Sequence, residues 1–336
     1  PDPYGSAEQA ALPWRGRITG SIAPGRTGTV DRTGQADAEI SMFFGAAQAG
    51  DFEVSKDGDR TLIKYSGPDE WSLRRFVLHY AHLCVAAGGV DSFCIASELR
   101  GLTQLRGQNG FPGVVALRKL AADVRKILGP ETAISYAADW SEYFGYAPQD
   151  GSGDIYFHLD QLWADDNIDF VGIDNYMPLS DWRDRPAEAD SSYAGPHDLG
   201  YLKANICGGE GYDWFYASAA DRDAQIRTTI TDGVHSEPWV WRYKDIRNWW
   251  GNVHHDRVGG VRLNNPTNWV PQSKPVRFTE IGCPAIDKGT NQPNKFVDPK
   301  SSESSLPFFS NGGRDDFLQV QYIRAMDEYW NDAVNN

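Results

Sequence analysis

Cysteine is scarce in this sequence. Cys84, Cys94, Cys207 and Cys283 are the only four in 336 residues, and none stands at CxxC or CxxH spacing, so neither a zinc site nor a disulfide framework is signalled. Buried free thiols are the expectation. His254 and His255 are neighbours in sequence and therefore diverge in space, which removes the remaining candidate for a metal centre. We assign no metal and no cofactor. No apolar run reaches the length of a membrane span, and the opening "PDPYGSAEQAALPW" lacks the basic and apolar regions of a secretory signal. Positive charge is also short. Lys and Arg total 32 against 46 Asp and Glu, a net charge of -14 with pI near 4.9, which argues against a nucleic-acid partner because phosphate binding draws on clustered Lys and Arg. No glycine-rich phosphate fingerprint follows any strand candidate, and no internal repeat or low-complexity tract is present.

The chain is long enough, and at 40% hydrophobic residues apolar enough, to fill one large α/β core. Twelve Trp and 15 Tyr permit a carbohydrate ligand, whose apolar faces pack on flat rings, without requiring one. Residues 1–68 form an irregular, Gly/Pro-rich excursion with one short helix around Ala36 to Ala49. From there the pattern alternates. Apolar spacing predicts a helix over 70–87 with Asp69 able to cap it, then the strand "VDSFCIASE", a helix over 113–128 closed by Gly129, and the strands "TAISYAA" and "IDFVGIDNY". A long connection at about 177–273 carries helical patterns around Ala217 to Thr231 and Tyr243 to Val253. Within it, "PWVWRYKDIRNWW" reads as an amphipathic helix whose Trp faces pack on the rest of the fold. The strand "PVRFTEIG" and a helix from Arg314 to Asp332 complete the sequence. Apolar strands separated by helices indicate a parallel sheet covered on both faces, in a single domain spanning 1–336.

Four strands end on acids: Glu98, Asp139, Asp174 and Glu280. In a (β/α)8 barrel the carboxyl ends of strands face the active site. Glycoside hydrolysis needs two carboxyl groups flanking the scissile bond, and Glu98 and Glu280, three strands apart, would face each other across such a barrel's mouth. A strand-end acid alone is more often structural; for Glu98 the bland alternative is a local pair with Arg100. Asp139 with Trp140, and Asp174, are candidates for binding substrate hydroxyls or for packing and turn capping. Glu210, in the loop "GGEGYDWFY", is the alternative acid should Glu98 be structural.

At these residues a resemblance becomes specific. "FTEIG" is similar to the nucleophile strand of the retaining glycosidases with (β/α)8 barrels. The blocks "PWRGRIT", "GGVDSFCIASELRGLT", "SYAADWSEYFG", "DGSGDIYFHLDQLWAD", "DFVGIDNYMPLSDWRD" and "SKPVRFTEIGCPAIDKGTNQPNKFVDPKSSES" together resemble the TIM-barrel-like domain of the tail hub protein of gene transfer agents, phage-like particles of α-proteobacteria. The resemblance implies Glu98 as acid/base and Glu280 as nucleophile, with Tyr176 near enough to orient Glu280. Ser97 departs from the Asn usual before the acid/base. The resemblance further implies that strands four to seven of the barrel are readable here, within a longer polypeptide. Its partners would be a cell-wall or cell-surface polysaccharide and other tail proteins, in a particle assembled in the cytoplasm and acting at a recipient's envelope. A non-catalytic structural or glycan-binding module of the hub is the other function it allows.

Overall fold

The computed structural model describes residues 2–58, 60–185 and 188–335. In chain order they form α1 (Gly34–Phe44), β1 (Phe52–Asp57), β2 (Arg60–Tyr65), α2 (Leu73–Ala86), β3 (Ser92–Ser97), α3 (Arg100–Thr103), α4 (Pro112–Leu128), β4 (Ala133–Asp139), α5 (Asp160–Trp163) and β5 (Val171–Asn175). There follow α6 (Leu199–Ala204), β6 (Trp214–Phe215), α7 (Ala219–Ala224), β7 (Thr228–Thr229), α8 (Ile246–Gly251), β8 (Arg257–Val258), β9 (Val261–Arg262), β10 (Val276–Ile281) and α9 (Asp316–Trp330). The chain divides into two compact units. The first holds residues 1–9, 15–173 and 253–277, and the second 10–14, 174–252 and 278–336.

The main sheet is four-stranded, parallel, and ordered β10-β5-β4-β3. Its inner strands are apolar and almost wholly buried, as a sheet covered on both faces requires. Its outer strands β3 and β10 are only partly buried. The thiols differ accordingly from expectation: Cys283 is buried, whereas Cys94, on the outer strand β3, is exposed. All four cysteines are free.

In the first unit α4 covers the sheet with Val114, Leu117, Leu120, Ala121 and Val124, each fully buried. Burying each larger side chain stabilises the unit by roughly 1.5–3 kcal/mol before entropy is counted. Pro112 starts this helix, where a missing N–H costs nothing. Gly129, at φ 81°, ends it by donating its N–H to the Arg125 carbonyl at 2.9 Å. The N-cap of α2 is Ser72, which accepts from the Arg75 N–H, and not Asp69. Ser72 wins because it immediately precedes the first turn, where its hydroxyl reaches the third helical N–H. The antiparallel hairpin β1–β2 stands in the segment expected to be irregular.

In the second unit α9 packs on α6 through Tyr322, Ala325 and Met326 against Tyr201, Leu202 and Ile206. The tract "PWVWRYKDIRNWW" is not one helix. It forms a 3-10 turn, Pro238–Trp241, and then α8. Asp245 caps α8 by accepting from the Asn248 N–H, which starts a new helix in mid-tract. Lys244 points inward and donates to the Asn205 and Gly208 carbonyls at 2.8 and 3.0 Å. Burial pushes its pKa down to about 7. Trp239 and Trp249 are buried, while Trp241 stays exposed.

The start of α4 lies close against the backbone of α3. A Cβ on Gly113 would stand 2.5 Å from the Leu102 carbonyl oxygen, which cannot move without shifting α3. Gly113→Ala is expected to lower stability by about 1–3 kcal/mol, read as a shifted urea midpoint at unchanged slope. An unchanged midpoint would mean that α3 is not held there.

Candidate active site

The first unit builds the surroundings of Glu98. One residue beyond β3, Glu98 turns into the left-handed region at φ 50°, a conformation that costs an L-residue other than Gly, Asn or Asp on the order of 1–2 kcal/mol. Three contacts impose it. The Glu98 N–H donates to the Ala137 carbonyl on β4 at 2.8 Å. The next N–H, of Leu99, donates to the Tyr136 hydroxyl at 2.6 Å. The carboxylate, itself buried, meets the Arg15 guanidinium at 3.0 Å. Arg15 also donates to the Ser97 hydroxyl at 2.8 Å and to the Ser97 carbonyl at 3.1 Å. The partner of Glu98 is therefore Arg15, 83 positions upstream, and not Arg100.

Beneath this turn lies a buried polar network. The Tyr136 hydroxyl donates to Glu142, 2.9 Å from one oxygen and 3.1 Å from the other. Thr103 and the Asp139 N–H donate to the same carboxyl. Glu142 is fully buried, and desolvation outweighs these donors to push its pKa up to about 8. Asp139, at the end of β4, is raised as well, first by burial, against the opposing Ser141 hydrogen bonds. Trp140 follows it, partly exposed. His158 is buried, and desolvation depresses it to about 3, so it stays neutral.

The second unit carries the other acids. Tyr176 donates its hydroxyl to Glu280 Oε2 at 2.8 Å, within the reach its sequence position implied. Asp174 is fully buried near the end of β5 and accepts from the Thr279 hydroxyl at 2.6 Å. Thr279 thus links the strand carrying Glu280 to the one carrying Asp174. Glu210 is held by Arg222 in a two-pronged pair at 2.6 and 3.0 Å. That guanidinium lies 4.0 Å over the Phe308 ring and 4.6 Å over Tyr216. Glu210 is thereby engaged in structure. The adjacent histidines do diverge: His254 bonds Asp160 at 2.9 Å and His255 bonds the Leu263 carbonyl at 2.8 Å.

Sequence reasoning missed Arg15, Tyr136 and Glu142. Arg15 stood inside the block "PWRGRIT", but nothing local ties that block to β3. Tyr136 had a signal: a phenol inside a buried strand needs a partner for its hydroxyl.

A parallel α/β sheet whose strands end on acids defines the class. The chain belongs to the GTA TIM-barrel-like domain family, whose family model matches residues 71–336. No curated protein matches the sequence.

Two outcomes test the Glu98 turn. Glu98→Gly and Glu98→Ala both remove the carboxylate, yet only glycine adopts positive φ without strain, so the glycine variant is expected to be more stable by about 1 kcal/mol. In ordinary strand or helix backbone the order is the reverse, and that order in thermal melts would contradict the geometry. The second outcome concerns Glu142. The folded protein keeps its proton up to about pH 8, whereas the unfolded chain releases it near the ordinary value of 4.5. Its contribution to stability therefore declines as pH rises through that window and is level above it. Glu142→Gln removes this term, so the melting temperature of the variant minus that of the parent should rise from pH 5 to 8 and then flatten. A pH-independent difference would contradict it.

Proposed function

We propose that this chain is a glycoside hydrolase-like domain of a phage-like tail hub, cleaving a cell-wall or cell-surface polysaccharide with retention of configuration during particle entry. Supporting this are the carboxylates at the ends of all four parallel strands: Glu98 just beyond β3, Asp139 on β4, Asp174 on β5 and Glu280 on β10. Carboxyl ends of parallel strands are where α/β folds gather catalytic groups. The single observation that carries the reading is the Tyr176 hydroxyl bonded to Glu280. A phenol donor fixes the orientation of a carboxylate.

In the first step Glu280 attacks the anomeric carbon as Glu98 gives its proton to the departing glycosidic oxygen. In the second, water attacks the glycosyl ester, Glu98 takes the water's proton, and Glu280 leaves. In this reading Ser97 and Trp140, both partly exposed, meet a sugar hydroxyl and a sugar face, while the buried Asp139 and Asp174 brace the strand ends that carry them. A second reading, a non-catalytic glycan-binding or structural part of the hub, is favoured by the ion pair that already engages Glu98 with Arg15.

The roles separate by chemistry. Glu280→Ala should abolish turnover on every substrate, since no covalent intermediate forms. Glu98→Ala should abolish glycan cleavage but leave the first step intact on an aryl glycoside, whose phenolate departs unaided. The result is a burst of phenol, and added azide should convert it into steady turnover with a glycosyl azide product. If the parent cleaves glycan and Glu98→Ala does so equally well, Glu98 is not the acid/base. If the parent binds glycan and never cleaves it, the second reading holds.

A further inference from the structure

We propose that a pocket in the first unit, beginning two residues beyond Glu98, binds the carboxylate of an acidic sugar. The pocket encloses about 840 Å³ between α3 and the segments around residues 16–32 and 146–150. Its wall is fixed closely to the Glu98 turn. Gly101 lies so near the preceding segment that a Cβ there would come 2.4 Å from the Ile18 carbonyl oxygen.

The pocket's charge is unbalanced. Arg106 is matched by Asp31 and Asp150, the latter at 2.9 Å, and Arg32 by Asp150 and Asp154 at 3.2 and 3.1 Å. Two lining arginines are different: among the described residues neither Arg26, which is exposed, nor the partly buried Arg100 has a side-chain hydrogen bond or ion pair, and the buried donor belongs to Arg100. Its Nε is fully buried and without a partner. Gln104 lines the same pocket one helical turn on, is 91% buried, and holds its Nε2 there unpartnered. Arg106 Nη1 and the Thr19 hydroxyl add two more buried atoms without hydrogen-bond partners.

Unpartnered buried donors cost about 1–3 kcal/mol each, and native proteins hold few of them. An anion would satisfy these donors and add a direct partner for Arg100, whose charge otherwise acts on Asp139 without a hydrogen bond. The Arg100 guanidinium is planar, and its fork of donors matches a carboxylate in two-pronged fashion, while the exposed Arg26 on the same lining adds a second unmatched positive charge. The volume exceeds a lone anion and lies in the range of pockets that enclose organic ligands. A uronic acid, with one planar carboxylate on a sugar ring, meets both conditions. The identity of the carrier as a sugar rests on the glycosidase reading; the anion preference rests on the pocket alone.

The test is an NMR titration of the full chain with sodium glucuronate, glucose and inorganic phosphate at constant ionic strength. We expect glucuronate to bind at least about tenfold more tightly than glucose, the loss of a charge-assisted hydrogen bond being worth roughly that factor. Arg100→Gln should weaken glucuronate by a similar factor. Gln104→Glu, which sets a carboxylate one turn from Arg100 and pre-empts the site, should do the same in a protein that keeps its fold. Equal binding of glucuronate and glucose overturns the proposal, as does parental affinity in both variants. Phosphate binding more tightly than glucuronate overturns the assignment to a sugar carboxylate. The titration reads no turnover. A chain that binds glucuronate through Arg100 but cleaves no glycan therefore loses only the proposed activity, and one that cleaves neutral glycan and ignores glucuronate loses only this site.

Discussion

The left-handed backbone of Glu98 is the constraint on which the first unit's polar architecture depends. A strand-end glutamate relaxes by default into extended or right-handed backbone. Here its own N–H is fixed to β4, the next N–H to a phenol, and its carboxylate to Arg15. Tyr136 can receive the Leu99 N–H because its proton is directed at Glu142, and Glu142 tolerates burial because burial keeps it neutral. Tyr136 joins the two halves, since without its hydroxyl the Leu99 N–H loses its acceptor and Glu142 a donor. Strain sustained in this way is what preorganised sites contain, and it favours a role for the Glu98 side chain beyond solvation.

The same turn directs α3, and with it Arg100 and Gln104, into the basic pocket. A chain with a net charge of -14 would repel acidic polymers at long range. A local cluster of four arginines, Arg32 and Arg106 matched by aspartates and Arg26 and Arg100 not, supplies attraction only at short range, where geometry discriminates. Such an arrangement selects an acidic group by shape rather than gathering polyanions indiscriminately.

The elements legible in the sequence were those whose periodicity coincided with burial. α4 lies within a residue of its expected start and ends as expected, β5 and β10 fall within the stretches named and β4 runs one residue past its stretch, because a buried strand or a one-faced helix must be written in apolar spacing. The β1–β2 hairpin was missed although alternating residues flank Asp57 and Gly58. The surrounding Gly/Pro-rich composition outweighed that hairpin signal. The tract around Lys244 misled because its Trp residues supply helical spacing while Asp245 resets the helix, a local hydrogen bond that periodicity does not encode. Of the site, the acids and Tyr176 were visible as strand-end residues. Arg15 was not, since an ion pair across 83 positions exists only after folding, and neither was the bracing of Glu98 by Glu142.

The central claim is that Glu280 forms a bond to sugar. Incubating the intact chain with a 2-deoxy-2-fluoro glycoside bearing a good leaving group slows hydrolysis of the intermediate enough for mass spectrometry of the intact protein and its peptides. The account predicts a gain of one fluoroglycosyl group, located on the peptide containing Glu280 and absent in Glu280→Gln. Cleavage of glycan by a protein that never acquires that mass, or acquires it on another residue, would contradict it.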